Sequence, residues 1–153
     1  MNIRLKNAFE DRVREEFIFL LDLNYQIGDI TEESSNLIGT SYTFNFVNEE
    51  LDRNVSISVS VEEHSFSHKF ISLFIAKNLN KENGNANDYI ELDRLCKSRN
   101  ISIHIINNIR QNKIKSVENL NIIIKEYANI LRSHFHDILT GKEWIEGLYP
   151  EWR

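Results

Sequence analysis

Between Ser116 and Leu139 the apolar residues keep one spacing over a length that only a long helix uses. Val117, Leu120, Ile124, Tyr127, Leu131, Phe135 and Ile138 fall three or four apart, which stacks them along a single stripe. Ile123, Ala128 and Leu139 widen the stripe to the arc of a helix docked on a core. Ser116 is placed as the N-cap and Gly141 as the left-handed residue that stops a helix. Such a stripe has to be buried against another apolar surface.

The first half of the chain supplies that surface. In Ser41–Val47, Tyr42, Phe44 and Phe46 alternate with Thr43 and Asn45; in Asn54–Val61, Val55, Ile57, Val59 and Val61 alternate with Ser56, Ser58 and Ser60. A period of two with aromatic and β-branched residues marks half-buried antiparallel strands, and Asn48–Arg53 has the length of a hairpin loop. Lys69–Lys77 reads as a third strand whose Ile71, Leu73 and Ile75 join the core. Phe70 and Phe74 then point to the other face and call for a cover, a helix or a partner. Ahead of the hairpin, residues 3–23 read as an amphipathic helix with Leu5, Phe9, Val13, Phe17, Leu20 and Leu21 inward. Tyr25–Ile30 is a short first strand, followed by a polar break from Thr31 to Asn36. After the loop Asn78–Asn87, a capping box Asp88-x-x-Glu91 starts a short helix with Leu92, Leu95 and Cys96 inward. Ile101–Ile109 fits either a strand or a helical turn and leads into the basic loop Arg110–Lys115. At the C-terminus, Trp144, Leu148 and Tyr149 are expected to pack back on the body.

These elements predict one α+β domain over residues 1–153. Its centre is an antiparallel β-meander of three to four strands, with an N-terminal helix and a long C-terminal helix packed on one face. At 153 residues the chain is long enough to bury a sizeable core.

Charge is uneven along the chain. Residues 10–63 hold thirteen acids against Arg12, Arg14 and Arg53, a net of −10, whereas residues 99–153 hold six acids and eight bases. An acidic first half disfavours nucleic acid, whose backbone needs clustered Lys and Arg, and suits a basic protein partner. The single Cys96 forms no internal disulfide and fits a reducing compartment. The apolar run Phe17–Leu21 is short, follows Glu15 and Glu16 and precedes Asp22, which is not the pattern of a secretory signal. With no stretch of membrane-spanning length, a cytoplasmic location is expected.

The residues that could carry chemistry read as structural. His134 and His136 lie two apart on a helix, about 200° around its axis, so both rings cannot reach one ion. His64 and His68, beside Glu62 and Glu63, have the spacing that zinc uses on a helix but sit in a strand end and turn. A metal-dependent enzyme using them is the alternative reading. Cys96, next to Leu95 near a helix end, reads as a buried thiol. No Gly-rich phosphate loop, nucleophile elbow or Cys cluster occurs, and no cofactor is implied.

The segment Tyr127-Ala-Asn-Ile-Leu-Arg-Ser-His-Phe-His-Asp-Ile-Leu-Thr-Gly-Lys-Glu-Trp144 resembles a C-terminal signature of small bacterial proteins, roughly Y-A-x-x-L…D-I-L-x-G-x-x-W. Some of those proteins are assigned as immunity proteins of polymorphic toxin or contact-dependent inhibition systems. The resemblance covers about 18 residues, and its positions also have a plain structural meaning: core, helix stop and end cover. It implies stoichiometric binding of a cognate toxin, without catalysis or cofactor, and the acidic half would suit a basic toxin domain. On this reading the contact surface is the acidic hairpin loop and nearby strand ends, Glu49, Glu50, Asp52, Glu62 and Glu63. A self-associating structural protein that covers Phe70 and Phe74 with a second copy is a further alternative.

Overall fold

The computed structural model describes residues 3–35, 39–61, 69–77, 88–102 and 116–145, with the side chains of Lys69 and Phe70 outside that description. His64 and His68 of the alternative metal reading, the acids Glu62 and Glu63, the basic loop and Leu148 and Tyr149 all lie outside the described residues. So does most of Ile101–Ile109; of that stretch Ile101 is buried.

The chain begins with helix α1 (Ile3–Glu16) and the single turn α2 (Phe19–Asp22). Five strands follow, β1 (Gln26–Ser35), β2 (Gly39–Asn48), β3 (Arg53–Val61), β4 (Lys69–Lys77) and β5 (Tyr89–Glu91). Then come α3 (Leu92–Ser98), α4 (Val117–His134) and the turn α5 (His136–Leu139). The sheet is an antiparallel meander in the order β1-β2-β3-β4-β5. The fold is the predicted α+β arrangement with one strand more than the upper expectation.

Alternation places the core. Phe44, Phe46, Val55, Ile57, Val59, Ile71, Leu73 and Ile75 share one face of β2–β4 and are buried. Phe9, Val13 and Phe17 from the N-terminal helix join them, as do Ile124, Tyr127 and Leu131 from α4. Two buried or half-buried tyrosines bond across the layers. Tyr127 Oη donates to the Ile71 carbonyl at 3.0 Å, and Tyr42 Oη donates to Glu10 Oε2 at 2.9 Å. Over β2 and β3 the opposite face is polar and pairs across strands, with Thr43 and Ser58 hydroxyls 2.7 Å apart and Ser56 Oγ donating to Asn45 Oδ1 at 2.7 Å. Period-two alternation therefore did what it predicts, one oily face and one wet face.

Four local expectations need correction. The polar stretch Thr31–Ser35 is strand, because β1 continues to Ser35 opposite Gly39. As the edge strand it has eight of ten residues exposed, so it needs a ladder partner and no apolar residues. Tyr89–Glu91 is also strand: Ile90 pairs with Ile75 and is fully buried. The helix therefore starts at Leu92 with Glu91 as N-cap and no side-chain cap bond, and Asp88 Oδ1 lies 3.9 Å from Lys77 Nζ. The pull of the β4 ladder outweighs a local capping preference.

The N-terminal helix tightens after Phe17, where Leu20 and Leu21 N–H groups bond three residues back at 3.0 Å. That turn rotates Leu21 outward, 42% exposed. The long C-terminal helix is broken at Phe135 (φ −128°, ψ 22°). Arg99 accounts for the break: Nη1 donates to the His134 carbonyl at 2.6 Å, and the guanidinium grips Asp137 with bonds of 2.7 and 2.6 Å. The stripe otherwise stands, except that Val117 in the first turn is 36% exposed. Ser116 caps α4 as expected, its Oγ accepting the Asn119 N–H at 3.1 Å. Gly141 takes φ +78° after α5, and a Cβ there would come within 3.0 Å of Leu51 Cδ2. No helix among the described residues is long and apolar enough to cross a membrane.

Candidate protein-binding surface

The β2–β3 connection is held from below by one buried amide. Asn48, 2% exposed, accepts the Leu51 N–H on Oδ1 at 3.1 Å and donates from Nδ2 to the Leu23 carbonyl at 3.2 Å. The loop closes with Asp52 N–H donating to the Glu49 carbonyl at 3.2 Å, and Asp52 takes φ +48°. Asn and Asp accept such conformations because a short polar side chain can satisfy the backbone locally. The result is a fixed platform from which Glu49 and Glu50 project into solvent.

The same bond from Asn48 to Leu23 brings the start of β1 alongside. Asn24, in the left-handed region at φ +66°, ends α2 and turns the chain into β1. Asn24, Gln26, Asn48, Glu49 and Glu50, with Val47, line a polar pocket of about 330 Å³. The Glu49 and Glu50 carboxylates, with the Asn24 and Gln26 amides, offer acceptors around a small hollow to a cationic side chain. Neither Glu49 nor Glu50 has an ion-pair partner among the described residues.

Acid continues along β1. Between Arg14 and Arg53 the chain carries nine acids (Glu15, Glu16, Asp22, Asp29, Glu32, Glu33, Glu49, Glu50, Asp52) and no Lys or Arg. Of the helical members, Glu15 and Glu16 are answered by Arg12 at 3.2 and 3.3 Å. Glu32 is answered by Lys6 at 2.6 Å, which holds its carboxyl below the usual carboxylate range. Asp29 and Glu33 are not answered among the described residues. Asp29 sits in a β-bulge: register with β2 shifts between Ile27 and Ile30, and the Asp29 carbonyl accepts from Asn45 Nδ2 at 2.8 Å. Gly28 is needed there, since a Cβ would stand 2.8 Å from Val47 Cγ2. Asp29 and Glu33 belong to the acid-rich first half read from the sequence, and the lack of Lys and Arg between residues 15 and 52 is the signal that marks them.

The residues that the sequence reads as structural rather than chemical take the following places. Cys96, on the inner side of α3, is fully buried, and burial pushes its thiol up to about 12, away from a reactive thiolate. His134 and His136 are exposed, on either side of the Phe135 break. No group of three His, Cys, Asp or Glu side chains among the described residues is placed to hold a metal ion. Phe74 finds a neighbour within the sheet, its ring stacked on Tyr89 at 4.5 Å. Trp144 does pack back as expected, with Arg53 and Lys77 cations 4.8 and 4.9 Å from its ring. A groove of about 580 Å³ runs between α1 and α4, lined by Arg12, Ile122, Lys125, Glu126, Ser133 and His134 among others.

No protein-family model, no curated protein and no solved structure matches the chain.

Proposed function

We propose that this protein acts by binding a basic protein partner stoichiometrically, in the manner of an immunity protein that neutralises a toxin. The observation that carries the reading is the acid around the β2–β3 loop: Glu49 and Glu50, without an ion-pair partner among the described residues, project from a turn held by Asn48 beside a polar pocket. A carboxylate pair fixed in this way attracts Lys or Arg without paying the ordering cost of a mobile loop. The resemblance of the Tyr127–Trp144 segment supports the immunity assignment, and the described residues place those positions in the core (Tyr127, Leu131, Ile138, Leu139) and at the helix stop (Gly141).

The test is a pull-down from the organism that carries the gene, with the wild-type chain beside the double reversal Glu49→Lys/Glu50→Lys. A basic partner in one-to-one amount with wild type, lost with the reversal and lethal when expressed without this chain, is the expected result. A partner retained by the reversal moves the contact away from the loop. A stoichiometric partner harmless on its own removes the immunity assignment, and finding none removes the binding reading.

A further inference from the structure

The outer edge of β1 has no strand against it among the described residues, and its chemistry selects what kind of chain fits there. In the order β1-β2-β3-β4-β5, β1 has one neighbour, and eight of its ten residues are exposed. Alternate residues of an antiparallel edge strand turn N–H and C=O away from that neighbour, which makes the edge a template for another extended chain unless something prevents it. The bulge at Gly28–Asp29 interrupts the template at one end. Beyond it, Ile30 to Ser35 keep unbroken register with β2, from Ile30 opposite Phe44 to Ser35 opposite Gly39. Six regular residues span about 20 Å, enough for a stable added strand.

The side chains exclude one occupant and favour another. A second copy paired antiparallel about Glu33 would set the two Glu33 carboxylates face to face, and like charges directly opposite on neighbouring strands are destabilising. An extended segment rich in Lys and Arg meets the opposite condition. Asp29 and Glu33 lack ion partners among the described residues. A chain leaving the bulge end runs on toward the Glu49–Glu50 pocket, because Gln26 at the start of β1 lines that pocket and pairs with Val47.

From these observations we infer that Ile30–Ser35 is a docking line for an extended Lys/Arg-rich segment of a protein partner, which adds to the sheet as a strand beside β1. The inference rests on the protein-binding reading above and gives it a mode: backbone bonds supply the affinity, and Asp29, Glu33 and the loop pocket supply the selectivity.

The test uses the full chain and two synthetic decapeptides of equal charge. One alternates Lys and Thr; in the other the Thr residues are Pro, which cannot donate to a ladder. Hydrogen exchange is followed residue by residue. The Lys/Thr peptide is expected to slow exchange at least tenfold at outward amides within Ile30–Ser35 and to bind at least tenfold more tightly than the Pro peptide. The variant Asp29→Lys/Glu33→Lys is expected to lose that protection while melting like wild type. Equal binding of both peptides with unchanged exchange in β1 overturns strand addition and leaves the acidic-surface reading standing. Binding of neither peptide also overturns it, and the pull-down with the loop reversal then judges the broader reading separately. Protection that grows with protein concentration and no peptide overturns it in favour of a second copy.

Discussion

Replacing Tyr25 with phenylalanine tests how the acidic edge is tied to the helix layer. Tyr25 lies between the left-handed Asn24 and the first residue of β1, is 2% exposed, and donates from Oη to the Leu139 carbonyl at 2.8 Å. Removing the hydroxyl leaves a buried carbonyl at the end of α5 without that donor, which costs about 1–3 kcal/mol. At this chain length each kcal/mol moves the melting temperature by about 2–4 °C. Burial also pushes the Tyr25 phenol up to about 12, against an ordinary value of 10.0, with Arg53 pulling the other way. The folded state thus holds the phenol proton about a hundred-fold more tightly than the unfolded chain. Stability from this group is fully present below about pH 10 and is lost as pH rises through about 12. At pH 11 the loss is on the order of 1 kcal/mol. The Phe variant has no such proton, so the gap between wild type and variant should shrink by about that amount between pH 7 and pH 11. Cys96, pushed up to about 12 as well, titrates in both proteins and cancels in the difference. Urea unfolding at both pH values measures the gap. A gap of the same size at pH 7 and pH 11 refutes the burial of the phenol, and no gap at pH 7 refutes the bond to Leu139.

Three other outcomes follow from named contacts. Leu131→Asp places an unpaired charge at a fully buried position of α4 and should cost at least about 4 kcal/mol; a variant that melts like wild type would contradict the core assignment. The Arg99–Asp137 pair holds the Asp137 carboxyl below the ordinary carboxylate value, so its stabilisation is present above about pH 4 and fades as acid protonates Asp137. Asp137→Asn should cost under about 1 kcal/mol near neutrality, because both side chains remain partly exposed, and should flatten the acid limb of a stability–pH curve; an unchanged limb would count against the pair. Cys96 should react with a thiol reagent only as fast as the protein opens, since the thiol is buried; rapid labelling under native conditions would show a looser α3.

The lengths and faces of the central elements were legible in the chain because they depend on local periodicity. Alternation in Tyr42–Phe46 and Val55–Val59 placed those side chains on the buried face. The spacing from Leu120 to Leu131, with the Ser116 cap, placed α4 and its inward side. The acidic loop was equally visible, and Glu49 and Glu50 are exposed where expected. What local pattern could not show depends on groups far apart in sequence. Thr31–Ser35 became strand because β2 offered it a ladder, and Tyr89–Glu91 because β4 did. The break at Phe135 needed Arg99, thirty-six positions earlier, to take the freed His134 carbonyl. The alignment of Gln26 with the Glu49–Glu50 loop depended on Asn48 reaching Leu23. Periodicity reports which face a residue turns inward; ladder partners, helix breaks and the convergence of a surface are decided by long-range bonds, whose energy is realised only when the chain is folded.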